Sequence, residues 1–278
     1  MIEHLPAEAF SPQMCIFVDR DKSLHALYER LAFKSNLLLV GAKGTGKSLS
    51  IQSFAYKINC PIITFDCSED VRRSHLLGMF VLRGQETPYV LGPLTTAFEI
   101  ANQVGRCILV LEEINALSPQ MQKVLNSTLD FRRKIVVPEA GKVFSLEPTA
   151  QLWVTGTMNH TVYGGTYELN EDLKSRVRLL SIGYPSLSEE TKILTEIFKS
   201  SVIPPEVVQR MLTLAHETRQ RSLEYALSTR DLVQVLEDFV LVGPEKALWI
   251  LLGKFEGDDR TTVIERICSI FGINLETE

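Results

Sequence analysis

The chain has 278 residues, 45% of them hydrophobic and 23% charged, with a formal net charge of −5. This length suits a core plus a smaller second domain, and the acidic balance gives no general pull towards nucleic acid. The five cysteines are odd in number, widely scattered and never spaced Cys-x-x-Cys, so neither a zinc site nor a disulfide framework is indicated. Residues Met1–Phe10 hold two glutamates and a proline but no apolar signal core. No run reaches transmembrane length. The expected setting is a reducing cytoplasm, without membrane insertion.

From Leu37 onward, apolar strand-like runs alternate with helix-like segments. The first run, Leu37-Leu38-Leu39-Val40, leads into Gly41-Ala42-Lys43-Gly44-Thr45-Gly46-Lys47-Ser48. Leu49 follows, within a helix-like stretch from Ser48 to Ile58. A buried strand, a glycine turn and a helix N-terminus are what a phosphate-binding loop needs, because glycines let backbone amides line a concave nest. Lys47 would reach the β- and γ-phosphates, and the Ser48 hydroxyl would sit on Mg²⁺. Further strands are expected at Ile62–Phe65, Cys107–Leu111, Leu152–Thr155 and Leu179–Ile182. This alternation argues for a parallel sheet with helices on both faces. Cys60 and Cys107 adjoin such strands and read as small buried thiols.

The third strand runs into two acids, Glu112 and Glu113. Carboxylates at the C-terminal edge of a buried parallel strand lie beside the phosphate loop, where ligands gather in such sheets. Glu112 would hold Mg²⁺, through water, opposite Ser48, and Glu113 would act as general base on the attacking water. The fourth strand ends Thr155-Gly156-Thr157-Met158-Asn159, and Asn159 is suited to hold the water or the γ-phosphate. After Tyr184-Pro185 the character changes. Segments 188–200, 205–220, 229–241, 244–252 and 260–271 read as helices, broken at Pro204-Pro205 and Gly243-Pro244. The expected architecture is an α/β nucleotide-binding core over 1–184 and a small α-helical lid over 185–278.

Phosphate loop, acidic strand, strand-end Asn and helical lid together resemble the AAA+ ATPases, from about Leu31 to Leu252. Residues 157–177 are similar to the T-x-N…Y-x-G…L-N…R-F stretch of the MoxR type, with Val177 standing where Phe is usual. The CbbQ/NorQ group is the nearest pattern. Leu76-Leu77-Gly78 and Gly92-Pro93-Leu94-Thr95-Thr96-Ala97 resemble that clade's helix-2 insert, spanning about 75–97. A second insertion, a hairpin over about 134–150, resembles the one that precedes sensor 1. Glu112 replaces the usual Asp. The resemblance implies that Arg176, or else Arg178, is an arginine finger reaching a neighbouring subunit's γ-phosphate. It also implies that Arg230 is sensor 2, and that the active form is a ring, with a hexamer expected.

Relatives of this type act on a partner protein, often one carrying a von Willebrand factor A domain, and the resemblance implies an ATP-driven remodeller of such a client. The segment Phe80–Pro93, which includes Tyr89, reads either as a pore-facing loop that pushes on a client or as a packed hairpin between neighbouring subunits, and the resemblance favours the loop. Tyr163-Gly164-Gly165 reads as a glycine turn before a helix. Ile16-Phe17-Val18 offers an apolar wall for the base. Two alternatives stand beside this reading. One is a nucleic-acid-linked motor similar to McrB or a helicase loader, which GTP preference or DNA-stimulated turnover would mark. The other is a nucleotide-gated scaffold with poor turnover, which only the Glu112 departure favours.

Overall fold

The computed structural model describes residues 7–19, 23–159, 166–199, 203–221 and 223–273. Tyr163-Gly164-Gly165 lies outside them. The chain divides into two compact units, Met1–Ala42 with Gly46–Ile182, and Lys43–Thr45 with Gly183–Glu278.

In the first unit, strands β1 (Asn36–Val40), β2 (Ile62–Asp66), β5 (Arg106–Glu112), β8 (Gln151–Met158) and β9 (Val177–Ser181) form one sheet in the order β2-β5-β8-β1-β9. Every neighbouring pair is parallel. Side chains alternate along each strand, and both faces of the central strands β1, β5 and β8 are covered. Leu37, Leu39, Ile108, Val110 and Trp153 pack into one cluster with Tyr28 of α1 (Ser23–Leu31) and Ile51 and Phe54 of α2 (Lys47–Lys57). Leu38, Leu109, Leu111, Leu152 and Val154 pack into another. There they meet Leu94 and Phe98 of α4 (Pro93–Val104) and Leu125 and Leu129 of α5 (Pro119–Leu129). Burial on both faces is why these strands read as unbroken apolar runs.

Two antiparallel hairpins depart from the sheet. Helix α3 (Arg73–Leu77) leads into β3 (Gly78–Phe80) and β4 (Tyr89–Leu91), which pair before α4 begins. The glycines at the base are dictated by contact. A Cβ on Gly78 would lie 2.3 Å from the Val90 carbonyl oxygen, and one on Gly92 would lie 2.5 Å from that of Leu76. Gly78 also has φ +115°. Tyr89 is packed rather than projecting: it is buried, and its hydroxyl donates to the Leu77 carbonyl at 3.0 Å. The exposed apolar residues of this hairpin include Met79, Phe80 and Leu82. The second hairpin pairs β6 (Lys134–Val137) with β7 (Lys142–Ser145). A short helix, α6 (Glu171–Lys174), precedes β9.

The second unit is all helical: α7 (Leu187–Ile197), α8 (Pro205–Gln220), α9 (Thr229–Val242), α10 (Pro244–Leu252) and α11 (Gly257–Phe271). Leu194, Met211, Leu214, Leu232, Leu236, Leu248, Leu251 and Ile267 form its core. Ser186 and Ser228 start α7 and α9 with reciprocal capping boxes, to Glu189 and Asp231 respectively. Helix α11 begins at Gly257, earlier than the sequence suggests. Asp258 and Asp259 resemble loop residues but suit the positive end of a helix dipole.

No helix among the described residues is long and apolar enough to cross a membrane.

Candidate nucleotide site

The loop Gly41–Ser48 joins the C-terminal end of β1 to α2. Gly44 and Gly46 have φ of +76° and +86°, the left-handed region that a side chain disfavours. Gly46 caps α2 without any side chain, and by helix geometry the amides of the first turn point out of the helix along its positive end. Lys47 is buried, with its ammonium donating to the carbonyls of Gly41 and Ala42, both at 2.8 Å, and to Asn159 Oδ1 at 3.1 Å. Three acceptors thus offset the burial of its charge.

The acids arrive on β5. Ser48 Oγ donates to Glu112 Oε2 at 2.8 Å, and the buried Thr157 hydroxyl donates to the same oxygen. Thr157 is itself the acceptor for the Glu113 amide, at 3.2 Å. Glu113 has φ +50°, a left-handed conformation for a residue with a full side chain. Strain of this kind persists only where its surroundings hold it, and it gathers at working sites. Asn159 Nδ2 lies 3.4 Å from Glu113 Oε1, so Asn159 bridges Lys47 and Glu113. Lys47, Ser48, Glu112, Glu113 and Asn159 therefore form one connected cluster.

Thr157 is the member that sequence reasoning missed. The signal was present as a hydroxyl at the end of an otherwise buried strand. Behind the cluster, the Cys67 amide donates to the Glu112 carbonyl at 2.9 Å, and burial, aided by the neighbouring acids, pushes its thiol up to about 12. On the other side of the loop, a Cβ on Gly46 would lie 3.9 Å from the Phe17 ring. Phe17 stacks on His25 with ring centroids 5.4 Å apart. Burial lowers the His25 pKa, against the opposing pull of Asp19. Ile16, by contrast, is half exposed.

Arg176 and Arg178 lie elsewhere, whereas a Cβ on Gly44 of the loop would lie 3.7 Å from the Arg230 Cβ. Arg176 immediately precedes β9, whose first residue, Val177, is level with Asn36 at the N-terminal end of β1. The phosphate loop leaves the opposite end of β1, about 13 Å away at the usual rise per strand residue. Asn36 pins this far edge, donating to the carbonyls of Leu129 and Arg176, both at 2.9 Å, and accepting from Arg133 Nη2 at 2.7 Å. The Arg176 guanidinium rests on Asp172, while Arg178 is exposed within β9.

Arg230 belongs to the helical unit, where both of its chain neighbours are fixed. Thr229 donates to Glu190, which is buried and also held by a bidentate pair from Arg219 at 2.8 and 2.9 Å. Asp231 accepts from Lys254, Tyr225 and Ser228. Arg230 itself is exposed at the start of α9.

A parallel sheet that carries a glycine loop, a hydroxyl-bound acid pair and a strand-end Asn at its C-terminal edge, with a helical unit after it, defines a P-loop nucleoside triphosphatase. The chain belongs to the AAA domain family in its dynein-related subfamily, whose model matches residues 36–177, just over half of the chain, and it is an AAA+ ATPase of the MoxR type. It is 27% identical to the protein CbbQ of Hydrogenophilus thermoluteolus over 200 residues, 71% of each chain. It is 26% identical to an uncharacterized protein of Staphylococcus saprophyticus, over 84% of this chain and 89% of that one. A crystal structure from Cytophaga hutchinsonii shares the fold, with a TM-score of 0.52 at 14% identity, covering 92% of this chain and 77% of the other.

Proposed function

We propose that this ATPase works as a cytoplasmic ring, with six subunits the expected number, that spends ATP to remodel or activate a partner protein complex. The observation that supports the ring is the separation of Arg176 from the phosphate loop of its own chain, across the length of β1. A finger at that edge serves a phosphate bound by the next subunit, where a cation stabilises charge developing in the transition state.

Within one subunit the roles follow from the cluster. The loop Gly41–Gly46, with the first-turn amides of α2 from Lys47 to Leu49, would cradle the phosphates, and Lys47 would exchange its carbonyl acceptors for them. Ser48 and Glu112 would hold Mg²⁺, and their oxygens fit it: one hydroxyl and one carboxylate, already converged, leave room for phosphate and water ligands. When bound, the ion offsets the negative charge of the β- and γ-phosphates. Thr157 holds the Glu112 carboxylate towards Ser48 and fixes the backbone of Glu113. Glu113 would take the proton of the attacking water, oriented by Asn159. Phe17 and His25 would wall the base. Arg230, braced by its fixed neighbours, would sense the γ-phosphate from the helical unit.

The β3–β4 hairpin, with its exposed Phe80 and Leu82, supports action on a protein client. Nucleic acid is the less favoured partner on net charge. The test uses Glu113→Gln, loaded with ATP, as bait in an extract of the native cell, with Lys47→Ala as the nucleotide-free control. A protein captured only by the ATP-loaded bait, such as one with a von Willebrand factor A domain or a metalloenzyme, supports the reading. Capture of nucleases or DNA overturns it.

A further inference from the structure

One surface of the first unit is left unused by the nucleotide chemistry. A groove of 610 Å³ lies among α3, α5 and β6, with Arg73, Lys123, Arg132 and Lys134 around it and Leu77, Ile135 and other apolar residues beneath. No carboxylate is among the described residues lining it. A second depression of 420 Å³ shares Arg73 and Leu77 and continues along the β3–β4 hairpin past Met79 and Phe80. Two of the cations are partly engaged: Arg73 lies 3.8 Å from Glu139, and Arg132 pairs with Asp130 at 3.0 Å. Lys123 and Lys134 are exposed, and neither forms an ion pair among the described residues. Apolar side chains stand open nearby, with Phe131 90% and Val136 52% exposed.

We propose that this groove binds an acidic peptide segment of the partner protein, with carboxylates against Lys123 and Lys134 and apolar side chains over the exposed Val136 and Pro138. The inference rests on the reading of a protein client and names the chemistry by which that client is recognised. Charge complementarity carries it: on a chain with net charge −5, four cations converge on one groove, where their positive potential steers an anionic partner. The exposed Val136 and Pro138 in its lining select a peptide over a bare polyanion, since phosphates and sugars gain nothing from apolar side chains. The second depression, which shares Arg73 and Leu77 with the groove, reaches the β3–β4 hairpin.

The test titrates the full-length protein with a fluorescein-labelled ten-residue Glu/Leu peptide, alongside a Lys/Leu peptide, a dT oligonucleotide and tripolyphosphate as competitors. Binding is read by fluorescence anisotropy at low and high salt, with ATP turnover and oligomer mass measured in parallel. The expected result is binding of the Glu/Leu peptide only, weakened by salt. Lys123→Glu with Lys134→Glu should weaken it about tenfold or more, leaving turnover and mass unchanged. Rescue by Lys123→Arg with Lys134→Arg would support a charge-based contact. Equal competition by dT or tripolyphosphate overturns the peptide in favour of a phosphate site. A smaller oligomer in the reversed variant overturns it in favour of a contact between copies. If the peptide fails to bind while Glu113→Gln still captures an ATP-dependent protein, this inference alone fails. If the peptide binds but no protein is captured, the client reading fails instead.

Discussion

Ser48, at the start of α2, donates its hydroxyl to the carboxylate of Glu112, the last residue of β5, across 2.8 Å and a sequence separation of 64. That bond joins the phosphate loop to the acidic strand and forms the two-oxygen edge of the proposed metal position. The extra methylene of Glu relative to Asp is accommodated because Thr157 donates to the same oxygen and draws the longer side chain back towards the loop.

Thr157 should therefore matter as much as the motif residues. In Thr157→Val the shape is kept, but Glu112 loses a donor and the Glu113 amide loses its acceptor. Hydrogen bonds to charged groups are worth about 1.5–3 kcal/mol, so turnover should fall about tenfold or more. Thr157→Ser should retain most of the rate. A coupled phosphate-release assay checks this, and a Val variant within twofold of wild type would remove Thr157 from the account.

The base of the β3–β4 hairpin makes a structural prediction. A Cβ at position 92 meets only backbone, 2.5 Å from Leu76 O and 2.7 Å from Gly78 N, so no side chain can swing aside. Gly92→Ala should cost about 1–3 kcal/mol locally, which corresponds to roughly fivefold or greater acceleration of amide exchange over residues 76–92. Nucleotide affinity should hold within about twofold. Unchanged protection by hydrogen-exchange mass spectrometry would contradict the close approach.

Asp231 supplies a pH signature in the helical unit. Burial alone would raise its carboxyl pKa, but hydrogen bonds from Lys254, Ser228 and Tyr225 outweigh burial and hold it below the ordinary aspartate value. A pKa depressed in the folded state adds stability that is fully present above the unfolded value, about 3.9, and is lost as pH falls through the folded one. Asp231→Asn should be destabilised by about 2 kcal/mol at pH 7. Its deficit should shrink as pH drops below about 4. Urea midpoints at pH 7, 5 and 3.5 measure this, and a deficit independent of pH would contradict it.

The sequence was most legible where one local cause acts. The strand at Leu37–Val40 and that at Cys107–Leu111 read as buried because both faces of a parallel sheet are covered. The phosphate loop read directly because positive-φ glycines have few substitutes. The strand at Leu152–Thr155 was read short: Gly156 and Thr157 interrupt its apolar run, yet the ladder continues to Met158. Glu190 and Arg219 were invisible, since each lies on a helix as a solvated residue would, and only the packing of α7 against α8 brings them together. Asn36 was equally silent, because its partners, Leu129, Arg133 and Arg176, are distant in sequence. Within the segment Phe80–Pro93, the packing of Tyr89 was not legible either, because it depends on its hydroxyl finding the Leu77 carbonyl.

The central claim is that each site is completed by Arg176 of a neighbouring subunit, and mixing two inactive variants tests it most directly. Lys47→Ala keeps the finger but loses its own site, and Arg176→Ala keeps the site but lacks the finger. Each alone should hydrolyse ATP about a thousandfold more slowly than wild type. An equal mixture, shown to co-assemble by copurification of differently tagged chains, should recover about a quarter of wild-type turnover, the share of heterologous interfaces that pair an intact site with an intact finger. A co-assembled mixture no more active than its parents would show that Arg176 does not act in trans.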